Sequence, residues 1–566
     1  MRQGPTGCYG PLTLATASIG DGSRSNLRLH ERTPPSVVLT LRQPLQQDAP
    51  LRWEKNLFYG PVPTAATGTR ATHAARYHPP MLATYPALAA WLDAIPHLRP
   101  LLVAAYILYL LWLTGWIMLQ KREPVATLSW ILSMAALPYL GLFIYYLLGP
   151  QKVKRQRLRR GRARSGMEHY SSVCPPDADC TELAKIAQAT TGLAPTSATE
   201  VEWLVDGAAT YTALLAAIAQ ARDHVHVEYY IFNPDHAGTA LRDALVERAR
   251  DGVRVRLLLD AVGSSAIRTR FLQPLLDAGG EVAWFHPRQL LKPFKRPWLN
   301  MRTHRKLVVI DGRTAFTGGI NITDEEDERR RPDAYRDLHM RLTGHVVRSL
   351  QLVFIEDWIY ATAQPPERFA IAQLWPDDMP SRADGRINAQ VLVSGPDSAW
   401  ETIHRLQVAA IHEARERVWL VTPYFVPGEA ARMALTSAAL GGLDVRLLVP
   451  KMSDSWFVTQ AARSYFDELL QAGVKIYEYG PRMLHTKAFI ADHNVCIVGS
   501  ANFDHRSFRL NFELSMMLVD ADRVAALERI LAAEFDASVR VHNDRGRSLW
   551  RHRVPEAFAR LASPLL

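Results

Sequence analysis

His304 opens the stretch HRKLVVIDG, and 181 residues later His485 opens HTKAFIADH. Each reads histidine, any residue, lysine, four residues, aspartate, giving two matched sets: His304, Lys306 and Asp311, then His485, Lys487 and Asp492. An imidazole titrates near neutrality, so one histidine can attack an electrophile while a second protonates the leaving group. Lysines beside them supply positive charge for the nonbridging oxygens of a phosphate. Each motif is followed by a small-residue run, GGIN ending at Asn321 and GSAN ending at Asn502, whose amides can add hydrogen bonds as charge develops. This set suits a phosphodiester. A metal held by the same histidines and aspartates is the competing reading, but a protonated lysine two residues from each histidine offers no lone pair and repels a cation, so no metal is expected.

These side chains need strands to aim them. A period of two puts His304 and Lys306 on one face and gives Asp311 the opposite parity, and the same parity separates His485 and Lys487 from Asp492. Both aspartates are therefore expected to brace loops or the neighbouring half, with the histidines and lysines facing one cleft. Upstream, DHVHVEYYIF reads as a buried strand, GTALRDALVERARDG as an amphipathic helix and VRVRLLLD as a second strand; ERVWLVTPYFVP, GEAARMALTSAALGG and LDVRLLVPK repeat that order. The fold class expected is α/β, with two pseudo-symmetric units of mixed sheet sharing one active site.

A chain of 566 residues exceeds what one core usually organises, and the net charge of +10 favours anionic partners: phosphate esters, nucleic acid or an acidic membrane. Leu101 to Leu119 carries no charge and spans about 28 Å as a helix, close to a bilayer core. A second uncharged run, Val125 to Gly149, follows a short polar turn, so a transmembrane hairpin is expected. Eight basic residues between Lys152 and Arg164 crowd its exit, which places everything after it on the cytoplasmic side and suits anionic headgroups. A membrane partner argues against nucleic acid; oligomeric state has no sequence signal. The loop LLKPFKRPWLN, with Phe294, Trp298 and Lys292, is expected at the membrane interface.

The expected divisions are 1–98 as a disordered extension with a possible true start at Met81, 99–150 as the hairpin, 151–195 as a basic linker, and 196–375 and 376–566 as the two α/β units. Cys8, Cys174, Cys180 and Cys496 lack zinc-finger spacing and are read as reduced thiols.

The doubled motif resembles that of the phospholipase D superfamily. More narrowly, NMRTHRKLVVIDGRTAFTGGIN, HTKAFIADHNVCIVGSANFDHRSFRLNFE and the apolar PYLGLFIYYLLG resemble bacterial cardiolipin synthases, from about Leu101 to the C-terminus. The resemblance implies phosphatidyl transfer between two phosphatidylglycerol molecules through a phosphatidyl-histidine, without metal, nucleotide or other cofactor. It implies anionic phospholipids, phosphatidylglycerol and cardiolipin, as partners, and a multi-pass place in the bacterial inner membrane. It assigns His304 as nucleophile and His485 as acid, and matches the histidine-orienting acids to Glu513 in NFE and Asp337 in YRDLH, although the spacing after Asn differs between the halves. The alternatives are a phosphatidylethanolamine-using synthase, a hydrolytic phospholipase D and a phosphatidylserine synthase.

Overall fold

The computed structural model describes residues 97–119, 124–136, 181–286 and 301–561, except 366–368, 370, 377, 379–380 and 544–545, together with Ser563. The expected N-terminal extension and Met81, the basic cluster Lys152–Arg164, the loop holding Phe294 and Trp298, and Cys8, Cys174 and Cys180 lie outside the described residues.

Seven strands of the first half are β1 (Glu200–Val205), β2 (His224–Tyr229), β3 (Arg254–Asp260), β4 (Glu281–Phe285), β5 (Lys306–Ile310), β6 (Thr314–Gly318) and β7 (Leu338–Thr343). They form one sheet in the order β1-β7-β6-β5-β2-β3-β4. In the second half, β8 (Ile387–Ser394), β9 (Arg417–Val421), β10 (Asp444–Pro450), β11 (Lys475–Tyr479), β12 (Ala488–Ala491), β13 (Val495–Gly499) and β14 (Asn511–Val519) follow the same path, β8-β14-β13-β12-β9-β10-β11. The pairing sense matches too: β2-β3-β4 and β9-β10-β11 are parallel, and the remaining neighbours antiparallel. The expected repeat is therefore a repeat of topology. Thr196–Ala198 precedes the first sheet in sequence yet pairs with β8 of the second.

Alternation decides where each sheet buries its two faces. Leu307 and Val309 of β5, Leu338 and Met340 of β7, Ala488 and Ile490 of β12, and Leu514 and Met516 of β14 share one core between the sheets. Their opposite-parity neighbours Val308 and Ile310 pack outward under Leu214, Leu241 and Leu245, while Phe489 and Ala491 pack under Leu406 and Leu435. One shared core makes the halves a single body, and β7 and β14 each turn one apolar face into it.

Helix α1 (Leu98–Met118) holds the one stretch among the described residues long and apolar enough to cross a bilayer, Pro100–Met118. Helix α2 (Pro124–Ala136) packs back on it through Leu113, Ile117 and Met134, and Tyr106 Oη donates to the Ala135 carbonyl at 2.7 Å. The remainder of the expected second span, 137–149, lies outside the described residues.

Candidate active site

Each histidine stands just before the third strand of its own half's antiparallel ladder, yet is fixed by the other half. Arg302 and Thr303 pair in parallel with Asn511 and Phe512, and the His304 amide then donates to the Phe512 carbonyl at 2.8 Å. In the mirror arrangement Arg336 bridges Leu484, and the His485 amide donates to the Arg336 carbonyl at 2.7 Å. The residue after each of those carbonyls is an acid. His304 Nδ1 lies 3.0 Å from Glu513 Oε2, and His485 Nδ1 lies 2.6 Å from Asp337 Oδ2. The two acids expected from the resemblance thus serve the histidines crosswise, each half supplying the other's.

All four groups are buried. Burial pushes the Glu513 carboxyl up, but His304, Lys306 and Ser500 outweigh it and hold it below its usual range; Lys487, His485 and the Leu338 amide do the same for Asp337. Both acids are therefore carboxylates that only accept, so each Nδ1 carries the hydrogen and each Nε2 presents a lone pair. Burial lowers the His304 pKa and takes that of His485 to about 4, which favours the neutral, nucleophilic form of each ring before an anion enters.

The lysines complete one shared site. Lys306 Nζ donates to the His304 carbonyl at 2.8 Å, and Lys487 Nζ donates to the His485 carbonyl and, at 3.3 Å, to Asp337. His304 feels the charge of Lys487 and His485 that of Lys306, across the boundary between halves. Burial and the facing Lys487 push the Lys306 ammonium well below the ordinary lysine range. Two buried lysines that repel each other can together receive one phosphodiester, whose charge would relieve the repulsion.

Asp311 and Asp492 stand apart from this cluster. Asp311 accepts from the amides of Arg222, Asp223 and His224 at 2.8–2.9 Å, and Asp492 from those of Arg415, Glu416 and Arg417 at 2.8–3.1 Å. Each sits in the left-handed region, φ 53° and 51°, and each ties the turn after its strand to the start of the adjacent strand of its own half. Bracing was expected; the structure gives it to the same half.

The asparagines occupy matching places but keep different company. Asn321 donates to Glu326 Oε1 from Nδ2 at 2.6 Å and from its backbone N–H at 3.1 Å, whereas the Asn502 backbone N–H donates to Ser507 Oγ at 3.2 Å. Glu326 and Ser507 each stand five residues after their asparagine, a correspondence that aligning the repeats would have brought out. Glu326 is buried beside Asp337, and both effects raise its pKa. Ser500, also not foreseen, donates to Glu513 Oε2 and accepts from the Leu514 amide. Its counterpart is Gly319, where an added Cβ would lie 2.2 Å from Asp337 Oδ1. So the GG and GS of the two motifs fit two different acids. Tyr230 meets the His304 ring edge-on at 4.9 Å, and Tyr335 lies 5.5 Å from that of His485.

Glu326, Asp337 and His485 bring three ligand-type atoms within 4.8 Å of one another, the spacing a cation could use. Here the His485 and Asp337 atoms are bonded to each other and the Lys487 ammonium takes another contact on Asp337, so the trio is organised around protons.

Residues 214–331 and 408–535 match the family described as "Cardiolipin synthase, PLD-like domain", and residues 107–150 match "Phospholipase_D-nuclease N-terminal". Cardiolipin synthase 2 of Bacillus cereus is 38% identical over 465 residues, 80% of this chain and 88% of that protein. Cardiolipin synthase of Geobacillus kaustophilus is also 38% identical over 465 residues, covering 80% and 91%. The crystal structure of phosphatidylserine synthase from Haemophilus influenzae Rd KW20 superposes with a TM-score of 0.53 at 14% identity, covering 68% of this chain and all of the other, which shares the fold alone. The chain belongs to the cardiolipin synthase family of phospholipase D-like proteins.

Proposed function

We propose that this chain makes cardiolipin and glycerol from two phosphatidylglycerol molecules by double displacement, with His304 as nucleophile and His485 as general acid and base. The observation that carries the reading is the crossed pair of Nδ1–carboxylate bonds, which leaves two Nε2 atoms and two lysines in one cleft. The names of the relatives support the product.

In the first step His304 Nε2 attacks phosphorus and a P–N bond forms as the P–O bond to the glycerol headgroup breaks. The proton on His485 Nε2 goes to the departing oxygen. In the second step a headgroup hydroxyl of another phosphatidylglycerol gives its proton to His485 and attacks phosphorus, and the P–N bond breaks. Lys306 and Lys487 hold the nonbridging oxygens, and Asn321 and Asn502 add hydrogen bonds as charge grows. The incoming phosphodiester raises the pKa of both histidines, which lets one carry a proton at neutral pH.

One phosphodiester replaces another, so neither metal nor nucleotide enters. The reading places α1 and a second span in the bacterial inner membrane with both α/β units on the cytoplasmic side, working on anionic phospholipids. Lipid mass spectrometry on purified enzyme in vesicles of phosphatidylglycerol tests it. Cardiolipin and glycerol should form in equal amounts, His304→Ala and His485→Ala should each abolish synthesis, and chelators should leave the rate unchanged. Synthesis that needs a cytidine-activated lipid, or that chelation stops reversibly, would overturn it.

A further inference from the structure

The last described helix, Val554–Leu561, follows a wider turn at Leu549–Arg553, and together they carry an apolar stripe that is largely exposed among the described residues. Trp550 is 77% exposed, Val554 42%, Phe558 66% and Leu561 82%. Their spacing of four, four and three residues puts them on one side of a helix, while Ala559 and Glu556 face inward. The helix packs on Trp456–Arg463, where Phe457 meets the Phe558 ring at 6.2 Å and Trp456, 58% exposed, adds to the same surface. Scattered apolar side chains are normal on a surface; two tryptophans and a phenylalanine in one continuous stripe are not.

The charge beside the stripe says what covers it. Arg551, His552 and Arg553 are exposed next to Trp550, and among the described residues neither arginine has an ion-pair partner. The neighbouring acid, Glu556, is buried and held by Arg547. Tryptophan flanked by free arginines is the chemistry of an anionic bilayer interface. A second copy of the chain suits it poorly, because a twofold contact would press the same arginines against their own images.

The position fits as well. Trp456 comes two residues after Asp454, which accepts from Tyr424 Oη at 2.7 and 2.8 Å. Tyr424 interacts with Tyr335, whose ring lies 5.5 Å from that of His485. The stripe thus belongs to the same half of the molecule as His485.

We propose that Leu549–Leu561 and Trp456 form a second membrane contact, in which Trp550, Phe558 and Trp456 lie among the headgroups of an anionic bilayer and Arg551 and Arg553 rest on its phosphates. This contact is separate from α1 and seats the second half of the molecule on the lipid surface.

The test uses the full chain in phosphatidylglycerol vesicles and, in parallel, on monomeric short-chain phosphatidylglycerol in solution. Trp550→Ser with Phe558→Ser should slow vesicle turnover about fivefold or more and leave the soluble lipid's turnover unchanged. Arg551→Glu with Arg553→Glu should do the same, with a loss that shrinks as salt is raised. Trp550→Leu should stay close to wild type. Acyl-brominated phosphatidylglycerol should quench the fluorescence of wild type more than that of Trp550→Phe, a readout independent of the reaction and of any folding defect in the serine variant. Equal losses on both substrates, unchanged vesicle turnover, equal quenching, or a wild-type dimer that the serine variant splits would overturn the proposal.

Discussion

His304 and Glu513 are 209 residues apart, yet Nδ1 and Oε2 meet at 3.0 Å, and the contact crosses from one half of the molecule to the other. Because His485 and Asp337 cross in the opposite direction, neither half holds a complete histidine–acid pair. Isosteric changes should therefore disable catalysis without unfolding the protein. Glu513→Gln and Asp337→Asn can each present an NH₂ to Nδ1 and stabilise the wrong tautomer. Each should lower kcat by about 10²- to 10⁴-fold with little change in KM. Initial rates on dispersed lipid check this, and a loss confined to KM would count against it.

Gly319 and Ser500 should not be interchangeable with alanine in the same way. At Gly319 even a methyl group meets the Asp337 carboxylate, so Gly319→Ala should displace the acid and remove almost all activity. Ser500→Ala adds no clash and deletes the hydrogen bond to Glu513 together with the one accepted from the Leu514 amide; losing the charged bond, at about 1.5–3 kcal/mol, predicts a rate roughly 10- to 100-fold lower. The ratio of the two variants' kcat values is the measurement.

Asp311→Asn and Asp492→Asn should act on stability and leave chemistry alone. Each carboxylate collects amide donors from the start of a neighbouring strand, and an amide can accept at only one atom; the loss should be about 1–2 kcal/mol, discounted for partial exposure. Burial pushes the Asp492 carboxyl up, but the amides of Glu416, Arg415 and Arg417 leave its pKa lowered on balance. A lowered folded pKa adds stability above the unfolded value of about 3.9 that is lost as pH falls through the folded one. The melting temperature of Asp492→Asn should thus approach that of wild type once pH falls below the ordinary carboxylate range. A gap that persists there would contradict the assignment.

Lipid binding should weaken on the alkaline side earlier than a normal lysine would allow. Burial and Lys487 hold the Lys306 ammonium below its usual pKa in the empty cleft, so the free enzyme sheds that proton as pH rises while the phosphodiester complex keeps it. Binding must then take up a proton, and KM for soluble phosphatidylglycerol should climb by up to about tenfold per pH unit well before pH 10. Lys487→Met, which removes the facing cation, should move that rise to higher pH even where its kcat is low. KM against pH for the two proteins decides the matter.

Much of this was legible in the residues themselves. The doubled His-x-Lys pattern picked out the residues that the structure brings together as a candidate site. The parity of a strand separated Asp311 and Asp492 from the histidines, and the order of apolar runs gave the βαβ units that become β2-β3 and β9-β10. The charge-free run in α1 gave a bilayer-length helix. These properties are local: they depend on residues within one strand or one helix, whose periodicity is set by backbone geometry alone.

What only the tertiary structure decided is non-local. Asn321 and Asp337 are separated by 16 residues and Asn502 and Glu513 by 11, so no spacing rule aligns the two acids. The extra residues form the turn around Glu326 and the loop carrying Arg329 and Arg331, after which the chain returns to the same place beside the partner histidine. That return is enforced by the core packed between two sheets, in which Asp337 just before β7 and Glu513 near the start of β14 each pass the motif of the opposite half. Sequence gave the atoms of the reaction; which acid serves which histidine depends on how two sheets stack, and that is settled by burial of Leu338, Met340, Leu514 and Met516 across the boundary between the halves.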